Sequence, residues 1–230
     1  VPYVNGEPLI AKSLSPVLAY AKQKNIGTVI ASNGISLNEQ KSQMLIDNDL
    51  DLLKVHISGM TKDVHQIQHR TGDPEAILNR LKNFVKDAKG QTLVVLDYIL
   101  YRHNEHELPA AKAFCDDIGI LLNIRPGNNR GMESSELSNH PGENLEWIPC
   151  DYVWEAFTLD WDSRVLPCCD FVTWPANKGL VTDISTNEVD LKKEWRTGSF
   201  ADFREGMMSE GRSFCDVCKD CPKISLGFKF

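Results

Sequence analysis

No stretch of this 230-residue sequence approaches the roughly 18 consecutive apolar residues of a membrane-crossing helix, so a helical membrane protein is excluded. Basic residues are in deficit: 25 Lys and Arg stand against 32 Asp and Glu, a formal net charge of −7. A nonspecific nucleic-acid or anionic-membrane binder would carry a basic surface, so neither nucleic acid nor membrane is expected as a partner. No charged-then-apolar leader opens the chain, which starts at Val1, and the expected location is cytoplasmic. No residue-level repeat is visible. What is present is ordinary globular content, 42% hydrophobic and 25% charged, which rules out wholesale disorder and fibres. The length suits one large domain or one domain with an appendage. Cysteine is the unusual feature. There are seven, an odd number concentrated in the last third, which suits a ligand set better than a disulfide framework.

The first 125 or so residues alternate between strand and helix patterns. Leu14, Val17, Leu18 and Ala21 recur at helical spacing, with Ser13 or Ser15 as N-cap. Residues 27–32 form a short β-branched run that breaks at Asn33-Gly34, as a buried strand entering a turn should. A helix over 39–48, a strand over 52–58 and a Pro74-initiated helix follow. That last helix carries Ile77, Leu78, Leu81, Phe84, Val85 and Ala88 as one stripe. Residues 92–98 read as a buried strand, 108–117 as a helix and 119–123 as another strand. Strands separated by helices imply βαβ units and a parallel sheet.

Composition changes at Pro126. Residues 127–148 are rich in Gly, Asn, Ser and Glu and read as a linker between an α/β body (1–126) and a small cysteine-bearing module (149–230). In that module, residues 151–161 and 164–169 flank a turn at Asp162-Ser163, which predicts a β-hairpin. Residues 191–208 read as helical, with Trp195, Phe200 and Phe203 as anchors.

Cys215, Cys218 and Cys221 form a doubled C-x-x-C, whose turn can bring sulfurs to one side of a metal. Cys150 and the Cys168-Cys169 pair bracket the predicted hairpin, so the fold can bring them together. Four thiolates from two places make a closed site, and thiolate chemistry alone leaves zinc and iron–sulfur both open. Cys115, between Ala113-Phe114 and Asp116 on a predicted helix, is most simply core. His103 and His106 form an H-x-x-H with Glu105 and Glu107 alongside, weighed as a metal set against a capped, solvated segment.

Several short motifs, taken in order, resemble the radical S-adenosylmethionine (radical SAM) enzymes. Asn5-Gly-Glu-Pro-Leu9 is similar to their GGEPL motif, and Ala31-Ser-Asn-Gly34 to their TNG motif. His56-Ile-Ser-Gly59 followed by Arg70-Thr-Gly72 is similar to their "iS-x-x-G … R-x-G" stretch, and residues 102–107 to their "N-x-x-E" segment. Each lies at the end of a predicted strand, where such barrels place active sites. The tail, with Leu166-Pro-Cys-Cys169, Trp195, Phe203-Arg204 and Cys215-x-x-Cys218, resembles the SPASM or shorter twitch extension.

The resemblance implies a partial (β/α) barrel, parallel-stranded, with a cysteine-rich hairpin-and-helix module. It implies SAM and a core [4Fe–4S] cluster as cofactors, with one auxiliary [4Fe–4S] cluster. Glu7 would meet the SAM ammonium in a charge-assisted bond. Asn33 belongs to the same cofactor site, Ser58 and Arg70 would hold the methionine carboxylate, and Asn104 would lie near the adenosine. Cys150, Cys168, Cys215 and Cys218 would ligate the auxiliary cluster, with Cys169 and Cys221 as alternates. Ser163 stands where twitch proteins carry a glycine. The family's C-x-x-x-C-x-x-C, whose thiolates bind the core cluster, precedes the GGEPL motif and is absent here. A fragment lacking the first strand and cluster loop is expected, the competing reading being a degenerate, noncatalytic relative.

The implied chemistry is generation of a 5′-deoxyadenosyl radical and hydrogen abstraction from substrate, by an oxidoreductase or isomerase, with a flavodoxin- or ferredoxin-like reductant. Asn129, Arg130 and Gly131 before the first cluster cysteine resemble the aminocyclitol dehydrogenase and carbohydrate-modifying branch. The expected substrate is therefore a small polar molecule, held by Arg130 or Arg125 and oxidised or epimerised. The alternatives are a maturase of a ribosomally made peptide and a noncatalytic zinc- or cluster-binding module.

Overall fold

The computed structural model of the chain describes residues 6–126, 150–156, 158–160, 162–169, 171, 180, 184, 188–219 and 221. The linker 127–148 with Arg130, and Asn5 of the first motif, lie outside the described residues. The chain divides into two compact units, Val1–Pro141 and Gly142–Phe230.

In the first unit, strands and helices alternate as the α/β pattern requires: α1 (Leu14–Gln23), β1 (Val29–Ser32), α2 (Glu39–Asp47), β2 (Leu52–Ile57), α3 (Lys62–Gln68), α4 (Pro74–Ala88), β3 (Leu93–Leu100), α5 (Leu108–Ile118) and β4 (Leu121–Pro126). The four strands pair in the order β1-β2-β3-β4, all parallel. Right-handed crossovers added in one direction place every connecting helix on the same face of the sheet, as in a barrel wall. Leu53, Val55 and Ile57 of β2 and Leu96 and Tyr98 of β3 are buried on that face with Leu81 and Phe84 of α4. The opposite, inner face takes the alternate residues Lys54, His56, Asp97, Asn123 and Arg125.

Helix ends follow their residues. Asn38 accepts from the Lys41 amide at 2.9 Å to start α2, and Asp73 from the Glu75 amide at 3.1 Å to start α4, where Pro74 occupies the first turn. α5 stops at Gly119 in the left-handed region, φ 69°. Apolar periodicity gives no sign of α3, because its only buried residue is His65.

The second unit holds α6 (Tyr152–Glu155), β5 (Thr158–Leu159), β6 (Val165–Leu166), α7 (Leu191–Thr197), α8 (Ser199–Glu210) and α9 (Asp216–Lys219). The hairpin forms, and among the described residues it pairs two residues on each side, Thr158 with Leu166 and Leu159 with Val165. Residues 152–155, expected as strand, make a helical turn instead. Val153 thereby reaches the core of Leu166, Phe171, Phe203 and Met207. Arg164 clamps the hairpin turn, bonding Asp160 at 3.0 Å and Asp162 at 2.6 Å. Ser163 sits at φ 67°, in the left-handed region that favours glycine. The single helix expected over 191–208 is two, broken at Gly198. Trp195 packs on Phe200 at 5.3 Å between centroids, and the Arg204 guanidinium lies 4.8 Å from the indole.

Candidate functional site

The C-terminal ends of the parallel strands carry the first cluster of polar groups. Glu7 precedes a short 3₁₀ turn (Pro8–Ile10) and reaches β1. Its carboxylate accepts from the Ser32 hydroxyl at 2.8 Å, the Asn33 amide at 2.8 Å and the Leu9 amide at 3.1 Å. A carboxylate offers about four lone-pair sites, so these donors fix its orientation and leave roughly one acceptor position. That remainder fits an ammonium ligand. Gly34 closes the turn at φ 72°; a Cβ there would meet Ile77 Cγ2 at 2.6 Å.

The loop after β2 is braced from two sides. Asn104 is fully buried: its Oδ1 accepts the Tyr101 amide at 2.8 Å, and its Nδ2 donates to the Ser58 carbonyl at 3.0 Å and the Ile99 carbonyl at 2.8 Å. The Tyr98 hydroxyl donates to the Asn104 carbonyl at 2.8 Å. Glu107 accepts from the Met60 amide at 2.6 Å and from the amide and hydroxyl of Thr61. The "N-x-x-E" segment therefore grips the loop that the "iS-x-x-G" segment forms. Gly59 lets this loop pass under α3, since a Cβ would lie 2.5 Å from the His65 amide nitrogen.

Two histidines complete this neighbourhood. His65, 2% exposed, stacks on His69 at 4.6 Å and accepts the Ser58 amide on Nδ1 at 3.3 Å. Burial, reinforced by His69, pulls its pKa down to about 4. His69 Nε2 lies 3.0 Å from the Ser58 hydroxyl, and burial lowers its pKa too. Ser58 is itself fully buried, whereas Arg70 is exposed. Both ring nitrogens of His103 are buried without a hydrogen-bond partner, the ring stacking on Tyr101 at 5.4 Å.

On the inner face, Asp97 is 2% exposed and accepts from His56 Nδ1 at 2.5 Å, Asn123 Nδ2 at 2.5 Å and Arg125 Nε at 2.8 Å. Burial alone would raise its pKa, but His56 and Arg125 outweigh it and hold the carboxyl well below the usual range.

In the second unit, Cys150, Cys168, Cys218 and Cys221 line one small cavity walled by Val153, Phe171 and Phe203. Arg212, 1% exposed, also lines it and donates to the Cys221 carbonyl at 2.7 Å. Cys215 packs on the same core, and its thiol hydrogen-bonds that of Cys218. This shared bond pulls the Cys215 pKa down to about 6 and pushes the Cys218 thiol up. Cys169 turns instead to the Tyr152 hydroxyl. Among the described residues no three Cys, His, Asp or Glu side chains converge on a single metal ion. Thiolates from four cysteines around one apolar cavity are the donor set that a four-iron cube takes at its corners. The donor set fits a cluster.

Residues 150–222 match the SPASM family, described as an iron–sulfur cluster-binding domain. A probable GTP 3′,8-cyclase from Methanocaldococcus jannaschii is 27% identical over 120 residues, 52% of this chain and 39% of that protein. An Fe-coproporphyrin III synthase from Methanosarcina barkeri is 25% identical over 108 residues, 47% of this chain and 26% of that protein. By these matches the chain is similar to the radical SAM proteins that carry a SPASM domain. Streptococcus suis SuiB bound to S-adenosylmethionine shares its fold with a TM-score of 0.63 at 13% identity, over 95% of this chain and 59% of SuiB. BtrN in complex with AdoMet and 2-DOIA shares it with a TM-score of 0.56 at 20% identity, over 95% of this chain and 70% of BtrN. The matched region thus spans well under two-thirds of the curated relatives' length. The cofactors of this family are SAM and [4Fe–4S] clusters.

Of the residues singled out in the sequence, Glu7 and Asn33 come together at β1, and Ser58 and Asn104 at the β2 loop. Arg125 joins the inner face, and Cys150, Cys168, Cys218 and Cys221 share the cavity. Sequence reasoning missed Asp97 and His65, and named His56 and Glu107 only within motifs, without the roles they take here. Asp97, in an apolar strand, was the one available signal: a carboxylate amid Val, Leu and Ile must be compensated.

Proposed function

We propose that this chain is the SAM-binding and auxiliary-cluster part of a radical SAM enzyme that acts on a small hydroxyl-bearing molecule, carbohydrate or aminocyclitol-like, to oxidise or epimerise it. When bound and reduced, SAM on its core cluster supplies a 5′-deoxyadenosyl radical able to take a hydrogen atom. The chain's own residues bind and orient. Glu7, held by Ser32 and Asn33, presents its remaining acceptor position to the SAM ammonium. Asn104 and Glu107 act by shaping the Ser58–Thr61 loop, and Arg70, exposed beside it, supplies the cation for the methionine carboxylate. The three core-cluster cysteines are not among this chain's residues.

Cys150, Cys168 and Cys218 hold three corners of one auxiliary [4Fe–4S] cluster. Cys221, which lines the cavity, is preferred over Cys215 for the fourth. The observation that carries the proposal is that four cysteines from two distant segments inside the SPASM match line one cavity. A peptide substrate is the second reading, since SuiB, whose fold this chain shares, has been captured with the precursor peptide SuiA. Anaerobic reconstitution with iron and sulfide tests the cluster. About four irons per chain are expected. Cys221→Ala should lose most of them and Cys215→Ala should keep them. A chain that binds one zinc and no iron refutes the proposal, and the opposite outcome for the two variants exchanges the fourth ligand.

A further inference from the structure

We infer that Asp97 organises His56 and Arg125 into a subsite on the inner face of the sheet that takes a neutral hydroxyl group. The inference rests on the small-molecule reading above and says where such a substrate would be gripped.

The three residues come from three adjacent strands. Register pairs His56 with Asp97 and Asp97 with Asn123, and Arg125 follows two residues along β4 on the same face. Asp97 is buried, but the side chains it holds are accessible: His56 is 23% and Arg125 47% exposed. A buried carboxylate costs several kcal/mol unless it is paired and hydrogen-bonded. Three donors compensate it here.

Bond accounting identifies the ligand class. Asp97 takes the His56 Nδ1–H, and in that tautomer Nε2 is the ring's acceptor. Asp97 also takes the Arg125 Nε–H, leaving the terminal N–H groups as donors. Arg125 Nη2 lies 3.4 Å from His56 Nδ1, so the two groups adjoin. An acceptor beside a donor fork matches a hydroxyl, whose hydrogen goes to Nε2 and whose oxygen accepts from the guanidinium. A carboxylate brings no hydrogen for Nε2, and an ammonium brings no acceptor and meets a like charge. Asp97 balances the charge of Arg125. Among the described residues, the other charged and titratable groups in reach are Lys54 on β2, within the fields of Asp97 and Arg125, and His69 from the loop after α3, within that of His56. Asp97 is in this arrangement a positioning residue.

The test uses the full chain with ¹⁵N-labelled histidine rings at pH 7.5. Myo-inositol serves as the neutral polyol probe and sodium acetate as the anionic one. His56 should show the Nδ1–H tautomer, and inositol should shift its Nε2 resonance saturably while acetate does not. Asp97→Asn should mix the tautomers and weaken inositol binding at least tenfold. Should that variant fail to fold, Arg125→Lys keeps a cation for Asp97, removes the fork and should weaken binding as much. A protonated Nε2, saturation by acetate alone, no response to inositol, or unchanged binding in the variants overturns the inference. Iron uptake and SAM binding by the same preparation report separately on the cofactor reading. A chain that passes both and leaves His56 unmoved refutes this subsite alone.

Discussion

Acidification should loosen the Ser58 loop through one imidazole, and the size of the effect follows from the structure. His65 is 2% exposed, its Nδ1 accepts the Ser58 amide, and its pKa is lowered from 6.5 to about 4. The unfolded chain therefore binds a proton below pH 6.5 that the folded chain refuses until about pH 4. Stability from this group is complete above pH 6.5 and is lost as pH falls toward 4. A gap of 2.5 pKa units amounts to about 3 kcal/mol. His69 and His103, also lowered, act in the same direction. Protonation would further turn Nδ1 from acceptor to donor and break its bond to Ser58. Amide hydrogen exchange of Leu53 and Leu96, buried in β2 and β3, reads the opening of the first unit alone. Its free energy should fall between pH 6.5 and 4. His65→Gln, which keeps an acceptor but cannot titrate, should remove about 3 kcal/mol of that fall. Equal slopes in the two proteins, or a His65 ring titrating near 6.5, refute the reasoning.

Leu81→Ala empties a fully buried position between α4 and the sheet and should cost 2–5 kcal/mol by urea denaturation; a loss under about 1 kcal/mol would contradict the core described. Glu7→Gln removes the charge offered to the SAM ammonium, and calorimetry on reconstituted full-length enzyme should show at least tenfold weaker SAM binding, about 1.5–3 kcal/mol. Unchanged affinity would remove Glu7 from the cofactor site. The Cys221→Ala and Cys215→Ala pair separates by iron content, and the His56 subsite by its response to inositol.

Local chemistry made much of this fold legible. The β-branched runs, the stripe from Ile77 to Ala88 and Pro74 in the first turn of its helix each act over a few residues, and each of these elements formed near its expected bounds. Where the pattern misled, the cause was packing: Val153 met Phe203 and Leu166 through a helical turn rather than a strand, and Gly198 broke a helix whose apolar spacing ran on unbroken.

The candidate site divides the same way. The sequence by itself determined which residue types were available, a GGEPL-like carboxylate, an N-x-x-E pair and cysteines in two distant groups, because motifs record chemistry. It also determined that the strands would be parallel, because helices alternate with them. Only the tertiary structure decided which of Cys215, Cys218 and Cys221 line the cavity, that Asn104 is spent on the Ser58 loop, and that Asp97 gathers His56 and Arg125. Those choices depend on contacts between residues 28 to 69 positions apart in the chain, which strand register and helix packing create and local pattern does not encode.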